Sequence, residues 1–401
     1  MDEVRVGIVG MGRGTSHLNG MLRVPGARLV ACADRIAERR ERAAARADEI
    51  APDKQVEMFV EYEEMLEQAD LDAVVVSTNG LLQCRHTLMA LEAGCHVLSE
   101  IPGANTREEL HRIIAAVEQS GKRYMLAENA CFWDFLRYWR KWLVEGRFGA
   151  ITAADGEYLH YLPTSMITSS GERVTPSEVA ERGIEDAIWT WRADEPPIKY
   201  CTHETGPLLE VLDDHVVSVA CHAGPNRQSE SPLRNDLQIA LMRTAKGALM
   251  RVQIALDTYQ PNTHNFRLFG THGSAEWFRY ENEGRLLPRE RPFRDGWLRT
   301  DIRSARPGAE TGGHGGADIK VVTQFINCLL EDRAMPIDHW RMADYALPGI
   351  IAAESAELGG TPISVPDVRR GPRKPTRFWD YLGLPDEDPA MEEWTRRGFD
   401  Q

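Results

Sequence analysis

Short apolar runs separated by amphipathic stretches dominate the first part of the chain. Four β-branched or apolar runs, Val4–Val9, Leu29–Ala33, Ala73–Val76 and His96–Leu98, are too short for buried helices and read as strands. Between them the helical period returns at Ile36–Glu49, Leu82–Ala93 and Thr106–Gln119, with Asn105 or Thr106 capping the last. Strands that alternate with helices pair in parallel through right-handed crossovers, so a doubly wound α/β sheet is predicted.

Near Tyr124 the pattern changes. An amphipathic aromatic helix is predicted over Phe132–Glu145, then longer alternating strands at Ile151–Tyr161, Asp236–Arg243, Ala248–Leu256 and His264–Gly270. The turn Thr244–Gly247 between two of them points to a large, mostly antiparallel open sheet. The chain therefore divides into a Rossmann domain, 1–124, and an α+β domain for substrate binding and oligomerisation, 125–401. Segments 162–198 and 280–317, rich in Gly, Pro and charge, are expected to be long excursions of the kind that often carry function. The tail after Pro366 runs from basic to acidic, holds Trp379 and Trp394, and is expected to pack as an arm on the surface or on a neighbouring subunit.

Composition trims the alternatives. With 401 residues, 42% of them hydrophobic and 27% charged, the chain has the make-up of two ordinary globular domains. A net charge of -14 argues against a general nucleic-acid binder, which needs a basic face, yet leaves room for an anionic small substrate held by local arginines. No apolar run approaches the roughly 20 residues of a membrane-spanning helix. The opening MDEVRVGIVG lacks the basic-then-apolar order of a secretory signal. Seven scattered cysteines with no C-x-x-C spacing fit reduced thiols, so a cytoplasmic protein is expected. The scattered histidines show no metal-ligand spacing, and no metal is expected.

The sharpest local motif is VRVGIVGMGRGTSHL, a strand that runs into Gly10-Met11-Gly12-Arg13-Gly14-Thr15 and then a helix. Gly10 permits the tight turn, and Gly12 lets backbone approach a pyrophosphate seated on the helix N-terminus. Thr15 stands where the third small residue of the fingerprint is usual. Asp34 closes the second strand about 24 residues past Gly10, where a carboxylate would bind the ribose hydroxyls and favour NAD over NADP. The adjacent Arg35 is a candidate partner for a 2′-phosphate; a solvated strand end is the plain alternative for both residues.

Downstream comes VVVSTNGLLQCRHTLMALEAGCHVLSEIPGANTREEL. With the glycine loop, its Thr78, Asn79, His86, Gly94, His96, Glu100 and Pro102 make the chain resemble the Gfo/Idh/MocA oxidoreductases. The resemblance implies that Thr78, Asn79, His86, Glu100 and Pro102 line the nicotinamide side of the cofactor, with Pro102 setting an unusual backbone turn. One position departs: Ile101 stands where the family usually carries its catalytic lysine. That leaves a degenerate binder, a dehydrogenase with another base, or a branch with different chemistry.

Four further motifs favour the branch. Glu128-Asn129-Ala130-Cys131-Phe132, Gly156-Glu157-Tyr158-Leu159-His160, Tyr200-Cys201-Thr202-His203-Glu204-Thr205-Gly206-Pro207 and Gly313-His314-Gly315-Gly316-Ala317-Asp318 occur in that order. Together they are most similar to the NAD-dependent glycoside hydrolases of the superfamily, of α-N-acetylgalactosaminidase type, which also carry an apolar residue in the lysine slot. The resemblance implies transient oxidation at sugar C3, loss of the acidified C2 proton, expulsion of the aglycone, addition of water and re-reduction. Such a path needs proton carriers and not a carboxylate pair set around an oxocarbenium ion. A sugar or polyol dehydrogenase is the alternative.

For that chemistry His203 is the first candidate, since the positive end of the helix it precedes disfavours an imidazolium; a capping or core histidine is the plain reading. Tyr158 and Tyr200 follow as bases or partners, with a place among sheet aromatics as their alternative. Glu128 is a candidate for relaying protons or for a structural cap beside Asn129, itself placed at the cofactor. His314, between glycines that admit a ligand closely, and His160 and Arg192 are candidate substrate contacts. Trp133, Trp189 and Trp191 are either sugar-stacking rings or core. The expected partners are a small carbohydrate glycoside and further copies of the chain, as a homodimer or homotetramer.

Overall fold

The computed structural model describes residues 2–385 apart from 191–192, 194, 229, 232–233, 279–282, 289–295 and 301–312. The first domain is a six-stranded parallel sheet of β1 (Val4–Val9), β2 (Ala27–Ala33), β3 (Glu57–Phe59), β4 (Ala73–Val76), β5 (His96–Ser99) and β6 (Tyr124–Leu126), in the order β3-β2-β1-β4-β5-β6. Every residue of β4 is buried, as a central parallel strand with helices on both faces requires. The crossing helices are α1 (Gly14–Met21), α2 (Ala37–Ile50), α3 (Tyr62–Gln68), α4 (Gly80–Glu92) and α5 (Arg107–Ser120). Of the two cap candidates for α5 it is Thr106 that accepts the Glu109 amide, at 3.1 Å, whereas Asn105 ties back to the carbonyl of Gly80. Strand order reverses beside β1, which places the ligand crevice at the carboxyl ends of β1 and β4.

The aromatic helix differs from its sequence expectation. Asn129–Phe132 forms a 3-10 turn, Trp133 is extended, and α6 spans Asp134–Val144. The break lets Trp133 and Phe135 both enter the core, Phe135 stacked on Trp277 at 4.2 Å. The second domain is built on a nine-stranded sheet whose centre is β7 (Ile151–Leu159). Of segment 162–198, part folds into a small sheet of β8 (Met166–Ile167), β9 (Arg173–Val174) and β10 (Ile188–Trp189), with a helix Pro176–Arg182 started by a Thr175–Glu178 capping box. The large sheet continues with β11 (Val216–Ala223), β12 (Leu237–Thr244), β13 (Leu249–Ala255), β14 (Thr263–Gly270), β15 (Gly273–Phe278), β16 (Glu283–Pro288), β17 (Leu298–Thr300) and β18 (Ile363–Ser364). All its pairings are antiparallel except β7 with β13.

Alternation along β7 sorts its side chains. Asp155 and Glu157 point to an outer face where they pair with Arg251 and Arg267, while Gly156 and Tyr158 face inward toward the helix Thr202–Leu212. Two late helices weld the domains together. Ala317–Leu330 packs on α1, where a methyl at Gly20 would lie 3.0 Å from Val322, and Leu126 of β6 donates its amide to the Ile337 carbonyl at 2.9 Å, just before the helix His339–Glu357. The tail from Pro366 to Leu382 lies on the chain's own second domain through Arg369 and Arg373 on Asp344, and Trp379 is buried; Trp394 lies outside the described residues. All seven cysteines are buried free thiols. Among the described residues no helix is long and apolar enough to cross a membrane.

Candidate active site

The site grows from the carboxyl ends of the parallel strands. After β1, Gly10 takes φ +89°, and a methyl there would stand 2.6 Å from the Ser77 carbonyl oxygen, so glycine alone fits. A methyl at Gly14 would stand 2.9 Å from Ile8, which makes Gly14 the residue that lets α1 pack closely on β1. Thr15 bonds the Met11 carbonyl at 2.7 Å and serves the loop itself. That resolves the apparent mismatch in the fingerprint, since Gly14 supplies the close approach expected of the third small residue. Asp34, at the end of β2, receives the Met11 amide at 2.7 Å and the Ile36 amide at 2.9 Å, one on each oxygen. Each oxygen keeps a second lone pair for a ribose hydroxyl. Arg35 turns away: its guanidinium is 78% exposed and pairs with Glu61 at 2.9 Å. The cation beside Asp34 is instead Arg39, at 3.5 Å and next to Gly12, a residue that the sequence reading passed over as one of many charges on an exposed helix.

Arg13, within the glycine loop, does not reach outward. It forks onto Asp318 at 2.6 and 2.9 Å and meets Glu100 at 2.9 Å, and His17 joins Glu100 at 2.7 Å. Burial would raise the Glu100 carboxyl, but Arg13 and His17 outweigh it and hold it down at about 2. Asn129 and His314 complete the network, each bonded to Asp318; despite its burial, His314 and Arg13 hold its carboxyl far below the usual carboxylate range. After β4, Asn79 caps α4, and Thr78 bonds His86 Nδ1 at 2.9 Å. Burial, with Arg85 alongside, pushes His86 down to about 4. The bond between Ile101 and Pro102 is cis, and Gln83 clamps this turn through the Ile101 carbonyl and the Gly103 amide.

After β6 the chain reaches Glu128, fully buried, whose Oε1 lies 2.6 Å from His203 Nδ1 and also accepts the Ala130 amide. This contact draws the start of the helix Thr202–Leu212 to the same sheet edge that carries the glycine loop. The phenol of Tyr158 lies parallel to the His203 ring, 6° between planes and 5.6 Å between centroids. His160, two residues on and just past the end of β7, stacks on Tyr158 at 3.8 Å. Tyr200 stands edge-on to both Tyr158 and His203. The four residues singled out as proton carriers, Glu128, Tyr158, Tyr200 and His203, thus converge.

Two members of the cluster escaped sequence reasoning. His264, the cross-strand neighbour of Tyr158, stands edge-on to it at 4.8 Å, and Glu204 bonds His264 Nδ1 at 3.0 Å. His264 was readable only as the first inward position of a strand, and Glu204 as an ordinary acid in a first helical turn. Trp133 is core, with its indole N–H on the His314 carbonyl, and Trp189 lies on the small sheet; Arg192 and Trp191 fall outside the described residues. Among the described residues no three or more His, Cys, Asp or Glu side chains gather as a metal site would.

Residues 4–128 match the Gfo/Idh/MocA oxidoreductase family, NAD-binding Rossmann fold, and residues 212–374 match the glycosyl hydrolase 109 C-terminal domain. Glycosyl hydrolase family 109 protein 5 of Phocaeicola vulgatus is 26% identical, with 98% of this chain and 83% of the relative covered. A family 109 protein of Porphyromonas gingivalis is also 26% identical, covering 92% of this chain and 86% of its own. Among solved structures, a levoglucosan dehydrogenase in complex with NADH and levoglucosan superposes with TM-score 0.73 at 20% identity, over 91% of this chain and 100% of that one. The WlbA dehydrogenase of Bordetella pertussis, in complex with NADH and UDP-GlcNAcA, gives 0.71 at 22% identity, over 91% and 98%. At that identity these structures speak for the fold.

Proposed function

We propose, for a chain that joins the Gfo/Idh/MocA Rossmann fold to a glycosyl hydrolase 109 C-terminal domain, an NAD-dependent glycoside hydrolase. The cradle suits the dinucleotide: Gly10, Gly12 and Gly14 with Thr15 at the start of α1 for the pyrophosphate, and Asp34 for the ribose. Thr78, Asn79, His86 and Pro102 bound the nicotinamide end, while Arg13, Glu100 and Asn129 brace it through Asp318. Bound there, NAD supplies reversible oxidation of the sugar C3 carbinol.

The chain's own residues handle the protons. With Nδ1–H held by Glu128, His203 has only the Nε2 lone pair left to take the proton of the C3 hydroxyl. The C3 ketone acidifies the C2 proton, for which Tyr158, with Tyr200 edge-on as its neighbour, is the candidate base. Loss of that proton expels the aglycone from C1; water then adds at C1, the proton returns to C2, and C3 is reduced again. Ile101, buried in the lysine position, cannot take part in proton transfer. His160 and His314 are placed as sugar contacts. A carbohydrate glycoside is the substrate, and a homodimer or homotetramer in the cytoplasm is the working form in this reading.

One observation carries the proposal: a Glu128–His203 pair at the carboxyl edge of the dinucleotide sheet, with the Tyr158 ring parallel to the imidazole and Ile101 in the lysine position. A panel of aryl glycosides, including N-acetylgalactosaminides and anionic sugars, tests it. Aglycone release that requires NAD but accumulates no NADH is expected. Stoichiometric NADH from free sugars with no aglycone release would instead make the chain a sugar or polyol dehydrogenase.

A further inference from the structure

Two buried glutamates face the imidazoles of the site, and the hydrolysis above uses only one. Glu204 follows His203 and is fully buried against β7, where a methyl on Gly156 would lie 2.7 Å from its Cβ. Its Oε1 lies 3.0 Å from His264 Nδ1; its Oε2 is buried with no hydrogen-bond partner among the described residues. His264 in turn stands edge-on to Tyr158, His203 and His160, with centroids 4.8, 5.5 and 5.4 Å away. Glu204 therefore touches the whole stacked column through one ring.

The surroundings decide its charge. Facing Glu204 are Glu128 from the loop after β6, His264 from β14, and Cys201 and His203 beside it on its own segment, with Glu157 acting from the opposite face of β7, where Arg251 and Arg267 pair with it. Among the described residues its only ion-pair partner is that imidazole. Burial first, then Glu128 and Glu157, hold its carboxyl well above the usual range. Glu128 has other partners, the Ala130 amide and His203.

We propose that Glu204 and His264 form a positioning pair behind Tyr158, which holds the His160–Tyr158–His203 column in place opposite the Glu128–His203 contact. For the reaction it serves, this rests on the hydrolase reading; for its geometry it does not. If Glu204 ionised, a buried negative charge would enter the cluster and disturb the column that moves the protons. Turnover therefore declines at high pH as Glu204 gives up its proton.

Glu204→Gln copies the protonated acid and is the test. Aglycone release should stay within about threefold of wild type at neutral pH, with its alkaline decline moved up by at least about one pH unit. A pH profile superimposable on wild type would reduce Glu204 to packing and overturn the proposal. A loss beyond about a hundredfold at neutral pH would also overturn it, by making Glu204 itself a proton carrier. Infrared difference spectra of wild type against Glu204→Gln keep the two readings apart, because they need no turnover. A protonated-carboxyl band at neutral pH that vanishes in the variant supports the pair even if no glycoside is cleaved, and its absence refutes the pair even if one is. Should Glu204→Gln fail to fold, His264→Gln is measured instead: the same band with a kcat loss of about tenfold at unchanged KM is expected, and unchanged kcat would overturn the positioning role.

Discussion

The helix Thr202–Leu212 carries two fully buried glutamates, Glu204 and Glu210, and its ends treat them in opposite ways. Glu210 lies 3.0 Å from Arg341 and accepts the hydroxyls of Tyr345 and Thr376, while its backbone carbonyl receives the Trp379 indole. Arg341 also meets Asp344, which Arg369 and Arg373 share, so the C-terminal tail is pinned by arginines on acids. Glu204 has an imidazole, two acidic neighbours and an orphaned oxygen. Burial raises both carboxyls, but only at Glu210 does an arginine pull back. Burial of an acid is thus a poor sign of function by itself; what neutralises it separates a structural clamp from a site that moves protons.

That contrast can be broken at either end. The largest effect is expected from His203→Asn, which should lower kcat about a hundred- to ten-thousandfold, with the thermal midpoint and NAD affinity little changed. Arg341→Met should do the reverse, costing about 3–5 kcal/mol in denaturant unfolding by stranding Glu210, with kcat preserved wherever the protein remains folded. If Arg341→Met destroyed turnover in folded protein, the two ends would not be separable.

Acidity sharpens the comparison, because the depressed histidines and the raised glutamate change stability with pH in opposite directions. His86 and His96 are each pushed down to about 4, chiefly by burial, so they fold uncharged. Their stabilisation is complete above the unfolded value near 6.5 and is lost as pH falls toward 4; partial exposure limits it to about 1–2 kcal/mol each. Glu204 behaves oppositely: its contribution is complete below about 4.3 and fades as pH rises through its raised value. Urea unfolding against pH should show an acid limb flattened by His86→Gln and an alkaline limb flattened by Glu204→Gln. The smallest effect is expected from Arg35→Ala, whose exposed guanidinium pairs with Glu61; NAD affinity should change less than about twofold, and a larger loss would place Arg35 at the ribose after all.

Much of this was legible in the sequence because local pattern and local chemistry agreed. β1 and β4 fall at the predicted bounds, since a fully buried parallel strand is an unbroken apolar run. β2 starts earlier than predicted, at Ala27, because Arg28 breaks the apolar run yet pairs with Arg5 on β1. The break before α6 was invisible, as Trp133 and Phe135 read equally well in helix or turn. The convergence of Glu128, Tyr158, Tyr200 and His203 was reachable through the family resemblance. The partners Glu204 and His264 were not, because they depend on strand register: only the pairing of His264 with Tyr158, and a glycine at 156 facing the helix, make them part of the cluster. Arg39 likewise emerged only once α2 was laid against the glycine loop.

The central claim is that imidazole and phenol move the C2 proton of a sugar transiently oxidised at C3. Hydrolysis of an aryl glycoside in deuterated water, with NAD present and the product read by NMR, tests it most directly. One deuterium at C2 of the released sugar, with protium retained at C3, is predicted; aglycone release with the original C2 proton retained would contradict it.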